Sequence, residues 1–164
     1  MRDAGLTLLE LLLVIAILSI LLALAGLNFN GSSRALAVTG FAHEFALAIQ
    51  QSATRANTNN QVYAVRYTNT GVTWGPVAST VTLSGCEGAS TAPVLASTTG
   101  RVTAPTGITA PAGWLCVSAP GLVSRLDQLT ACNENGMSIP CLMVRRGTTA
   151  RRVLVSGNGQ TEVR

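Results

Sequence analysis

The sequence predicts an α+β fold, with a long N-terminal helix whose C-terminal half packs on a mostly antiparallel β-sheet head. Three features carry this reading. Residues 11–33 contain no charged side chain, residues 34–56 repeat apolar side chains at helical spacing, and only short β-prone runs with turn residues follow. The 164 residues suit one globular domain with an appendage.

The first element is a candidate membrane span. Residues 6–27 are apolar except for Thr7, Glu10 and Ser19, and a helix of that length rises about 33 Å, enough for a ~30 Å hydrocarbon core. A cleaved secretory signal would have a shorter apolar region, a basic front without acids and a small-x-small cleavage site. Glu10, just inside the front edge, fits none of this. A carboxylate at that depth costs several kcal/mol unless it is paired or reaches the interface. Cleavage after Gly5 would place a new α-amino group on Leu6, about one helical turn away, on the same or a neighbouring chain.

The second element is the amphipathic helix. Val38, Phe41, Ala42, Phe45, Ala48, Ile49 and Ala53 form one apolar stripe, with Glu44, Gln50, Gln51 and Arg55 opposite. Gly26 and Gly31, beside Asn28 and Asn30, are the expected site of a bend or local melting. His43-Glu44 lacks the second histidine of a zinc-protease motif, because position 47 is Leu47. Asn57 and its neighbours to position 60 end the helix.

Strand candidates follow at residues 62–67, at 71–74 with a Gly75-Pro76 turn into 77–83, and at 101–103 inside a long loop over 84–113. Trp114, expected in the core, opens a strand over 114–117. Residues 142–146 and 150–155 read as strands joined by Gly147-Thr148-Thr149, and Asn158-Gly159 turns into a last strand over 160–163.

Charge is scarce, at 11% of residues, and all eleven basic residues are arginine. The net charge of +4 is unchanged by loss of residues 1–5, where Arg2 and Asp3 cancel. One histidine and five acids beyond Glu10 (Glu44, Glu87, Asp127, Glu134, Glu162) offer no catalytic constellation, no metal set and no cofactor motif. Cys86, Cys116, Cys132 and Cys141 contain no Cys-x-x-Cys pair, which favours two disulfides in an oxidising compartment over zinc. Of the three connectivities, 86–116 with the short local loop 132–141 is preferred.

Gly5-Leu6-Thr7-Leu8-Leu9-Glu10, followed by the apolar run, resembles the class III signal of type IV pilins and type II secretion pseudopilins. The resemblance implies a leader over residues 1–5, cleavage between Gly5 and Leu6 by prepilin peptidase, and N-methylation of Leu6. It makes residues 6–30 the transmembrane and filament-core helix, residues 31–164 the globular domain, and Glu10 the register-setting acid of assembly. Where many pilins carry a proline, at the twenty-second mature position, this chain has Leu27, and no proline precedes Pro76. The implied partners are other pilin or pseudopilin subunits, the inner-membrane assembly platform, the peptidase and, before assembly, the lipid bilayer. The implied location is the bacterial inner membrane, single-pass with a periplasmic head, and then the filament. No cofactor is implied.

The helix end at residues 52–57, the Trp114 strand and the closing 152–159 segment are similar to the FimT/GspH group of minor pilins and pseudopilins. That points to a minor filament subunit, with two alternatives. One is a pseudopilin of type II secretion, and the other is a minor pilin that binds DNA for uptake. For the latter, Arg145, Arg146, Arg151, Arg152 and Arg164 are the candidate phosphate-binding residues. The Gly-Arg-x-Arg element that some FimT-type proteins use is replaced here by Gly159-Gln160-Thr161-Glu162.

Overall fold

The computed structural model describes residues 8–134 and 136–164, with the backbone alone for residues 24–30. Helix α1 covers Leu8–Asn59 without interruption, so the expected melting at Gly26 and Gly31 does not occur. Contacts divide the chain into two compact units, 1–34 and 35–164.

In the second unit the apolar stripe is buried as its spacing predicts. Val38, Ala42, Phe45, Ala48 and Ile49 are fully inaccessible and Phe41 nearly so, whereas His43, Glu44, Gln50, Gln51 and Arg55 are exposed. Ser52, also buried on the stripe, returns its hydroxyl to the Ala48 carbonyl at 2.7 Å, which satisfies it inside the helix.

The strands of the head form two sheets. One has the order β3-β2-β1-β4-β5, made of Gly100–Thr103, Gly71–Pro76, Tyr63–Thr68, Gly113–Ser118 and Leu122–Ser124. The other runs β6-β7-β8-β9, made of Thr130–Glu134, Met137–Arg146, Thr149–Val155 and Thr161–Val163. All ladders are antiparallel. Both sheets turn one face to the helix. Tyr63, Val65, Tyr67, Val72, Leu115 and Val117 from the first meet Leu142, Val144, Val153 and Val155 from the second in a single core. Strand alternation therefore sends Arg66, Thr73, Arg101 and Trp114 to the opposite, outward face of the first sheet.

Gly75-Pro76 is the end of β2 and not a turn. The chain turns earlier, between Thr68 and Gly71, where the Thr68 and Thr70 hydroxyls bond each other at 2.7 Å. Glycine is needed at 75 because a Cβ there would run into the Ser97 carbonyl oxygen, which crosses directly over it. That crossing belongs to the long excursion between β2 and β3. Residues 77–83 form no strand. Instead Val77 bridges Leu95, and a short helix α2, Leu83–Glu87, is capped by the Thr82 hydroxyl.

Both cysteine pairs are bonded, Cys86 to Cys116 and Cys132 to Cys141. The first holds α2 against the outward face of β4. The second crosses β6 and β7 and, with Ile139 and Leu154, makes a small apolar cluster of its own.

Tyr67, 1% exposed, packs edge-on to Phe45 with ring centroids 5.5 Å apart, and its hydroxyl donates a long bond to the Gln128 carbonyl. Burial pushes this phenol from 10.0 up to about 12. The folded state resists ionisation, so stability is full below the unfolded value and is lost as pH rises through the folded one. Denaturant midpoints of the whole chain should therefore hold steady to about pH 10 and fall between there and pH 12. Tyr67→Phe should flatten that fall, and an unchanged slope would count against the assignment.

Candidate functional site

The sequence points to two places, and the two units hold one each. In the first unit, Leu8, Leu9 and the described large apolar residues from Leu11 to Leu22 are at least half exposed. They occupy consecutive positions, so the helix is apolar on every side, a pattern that belongs in lipid or in a helical bundle and not in water. Among the described residues alone, no helix is long and apolar enough to cross a membrane. The span read from the sequence begins before them, at residue 6, and runs through residues 24–30, of which the backbone alone is described. Glu10 stands exposed in the first turn of α1. Gly5 and Leu6, the expected processing residues, lie outside the described residues.

In the second unit the five C-terminal arginines do not form one patch. Pleating divides them. Arg146 and Arg151 share the helix-facing side with Val144 and Val153, and the Arg151 Nε donates to Thr39 Oγ1 at 3.2 Å. Arg145, Arg152 and Arg164 take the other side. There Arg152 pairs with Glu134 at 3.2 Å, and Arg164 pairs with Glu134 at 3.1 Å and Glu162 at 2.8 Å. The hydrogen bond from Arg164 holds the Glu162 carboxyl below its ordinary range, and the same contact raises Arg164. Arg152 and Arg164 with the two glutamates sum to zero charge, while Arg145, exposed on the same side, places its Nε against Met143 Sδ. Arg145 is not on a free edge either, because its backbone exchanges hydrogen bonds with Thr109.

A different set of arginines, unmarked in the sequence, stands on the outward face of the first sheet. Arg66 of β1 is opposite Thr73 of β2, which is opposite Arg101 of β3. Trp114 continues the row on the far side of Arg66. Trp114 is half-buried and not a core residue, and Arg125 stacks on it with Cζ 4.0 Å from the ring centroid. The same guanidinium donates to the carbonyls of Glu87 and Ala89, at 2.6 and 2.9 Å, which ties the excursion after α2 to the sheet. Single arginines alternating with buried neighbours, as in Val65-Arg66-Tyr67, were the available sequence signal.

Comparison with known proteins finds likenesses for the N-terminus and for the fold. Residues 1–26 match the prokaryotic N-terminal methylation motif. The fold is similar to two crystal structures of the type IV minor pilin FimU from Pseudomonas aeruginosa PAO1. The structure in space group P21 aligns with a TM-score of 0.54 and 13% identity over 77% of this chain and 87% of that one. The structure in space group P65 gives 0.52 and 14% over 76% and 90%. No curated protein matches. Residues 1–26 thus carry the methylation motif, and the fold, a long helix with an antiparallel head, is similar to that of FimU.

Proposed function

We propose that this chain is a minor subunit of a type IV pilus or pilus-like filament, with a structural and not a catalytic role. The observation that carries the reading is the coincidence, in one polypeptide, of the methylation motif at residues 1–26 with a pilin-fold head. The name of the FimU structures, a type IV minor pilin, supports the minor role. On this reading prepilin peptidase cuts between Gly5 and Leu6, and Leu6 is N-methylated. Residues 6–30 hold the chain in the inner membrane until the assembly platform draws it into contact with other subunits. The head then lies on the periplasmic side, where the oxidising environment suits the Cys86–Cys116 and Cys132–Cys141 bonds.

The test is the N-terminus of the protein isolated from its own cells. Mass spectrometry should find a chain beginning at Leu6 and carrying one added methyl group. Gly5→Ser should leave the leader in place, because the peptidase must fit the residue before the cut. A native chain that still begins at Met1 would overturn the reading.

A further inference from the structure

We infer that the outward face of the first sheet is a binding site for a tetrahedral oxyanion of the phosphate class. Arg66, Thr73 and Arg101 stand side by side on three adjacent strands. At about 4.8 Å between strands, the two arginine backbones are about 10 Å apart. Arginine side chains are long enough for two guanidinium groups to approach one another across that gap, above the threonine. Beside this row stand Thr68 and Thr70, whose hydroxyls bond each other, and the residues together line a recess of about 320 Å³. No carboxylate lines it, and among the described residues neither Arg66 nor Arg101 has an ion pair.

The fold keeps this recess open while it closes the rest of the same face. The excursion at residues 77–99 lies over the other half of the sheet, fixed by the Cys86–Cys116 bond, by Arg125, and by the passage of Ser97 over Gly75. Gly100, at the start of β3, is equally constrained, because a Cβ there would enter the Trp74 ring. The strand that carries Arg101 is thereby held in place.

The ligand class follows from the donors. Each guanidinium presents a planar fork that matches two oxygens of one anion. A planar carboxylate satisfies a single fork. A tetrahedral oxyanion offers oxygens to forks on both sides and to the Thr73 hydroxyl between them. Inorganic phosphate and the phosphodiester of a nucleic-acid strand share this chemistry.

The experiment uses the full chain in neutral-detergent micelles at low ionic strength, so it does not depend on filament assembly, and its failure leaves the filament reading standing. The probes are inorganic phosphate and a fluorescent twelve-nucleotide oligothymidylate. Phosphate should bind, and Arg66→Gln/Arg101→Gln should weaken it at least about tenfold, as expected for loss of charge-assisted hydrogen bonds. Arg152→Gln/Arg164→Gln should change it less than about twofold. If the oligonucleotide binds and phosphate displaces it, the site accepts both sources. If only phosphate binds, the site serves small oxyanions, and the inference also stands.

Arg66→Lys/Arg101→Lys keeps the charge but loses the forks, and should weaken phosphate about threefold or more. Wild-type affinity in that variant would reveal diffuse charge and overturn the site. Equal loss in the two glutamine pairs, or no binding of either probe, would overturn it too. So would a defect of Arg66→Gln/Arg101→Gln confined to filament incorporation, which would make the face a subunit contact. Circular dichroism and the disulfide state show whether each variant is folded.

Discussion

Phe45→Ala is expected to destabilise the head by about 3–5 kcal/mol, the cost of emptying a fully buried aromatic site. Phe45 is inaccessible, lies at the centre of the helix stripe, and meets Tyr67 edge-on with the ring planes at 78°. Its removal takes contacts from both the helix and the first sheet, and the cavity cannot collapse easily. On one side α1 is a rigid helix, and on the other β1 is held by ladders to β2 and β4. Domains of this size are stable by only about 5–15 kcal/mol, so the variant should sit near the edge of folding. Guanidinium unfolding of the whole chain in micelles, followed by tryptophan fluorescence, reads the shift. Phe45→Leu retains most of the apolar volume and should lose clearly less. A shift under about 1 kcal/mol for Phe45→Ala would show that the helix does not pack as described.

The same residues explain what was legible beforehand. The stripe from Val38 to Ile49 was readable because helical periodicity is a local property, and the C-terminal hairpins were readable from Gly147 and Asn158-Gly159. Gly75-Pro76 misled because the same dipeptide marks a turn in isolation. Here the glycine is demanded by Ser97, a contact that no local window contains. α2 is five residues in a Ser- and Gly-rich stretch, and it is held by a cap and a disulfide more than by propensity. β6 carries Asn133 and Glu134, which are poor strand formers, and survives by pairing with β7. The division into two sheets has no local signature.

The candidate sites divide in the same way. Gly5 and Glu10 stand out in the sequence because a short motif and an apolar run coincide there, and their roles belong to the proposed function. Four neighbouring arginines stand out at positions 145, 146, 151 and 152, yet pleating divides them between two faces, and the distant acid Glu134 pairs with Arg152. Arg66 and Arg101 are far apart in the chain, and become neighbours only through the register of β2.

Glu10→Ala is expected to leave membrane insertion intact and to lower incorporation into filaments by more than about a hundredfold. The alanine removes a charge from an apolar run, so it favours the bilayer. In an assembly the balance reverses. On the proposed reading, cleavage would expose an α-amino group on Leu6 among the apolar helices of neighbouring subunits, and a carboxylate would offset its burial. Breaking a buried pair by removing one partner costs about 3–5 kcal/mol, because the remaining charge is left in a low dielectric. Such a pair is also directional, so the axial register between subunits would loosen with it. A simpler role for Glu10 is an acid in the first turn of α1, favoured by the helix dipole and worth about 0.3–1 kcal/mol. Filament yield separates the two roles. If only the dipole matters, Glu10→Ala should assemble almost as well as wild type. If the pair matters, Glu10→Gln, which keeps the shape and loses the charge, should fail nearly as badly as alanine. Equal amounts of processed protein in the membrane fraction confine the defect to assembly, and normal filaments from both variants would remove the register-setting role from this residue.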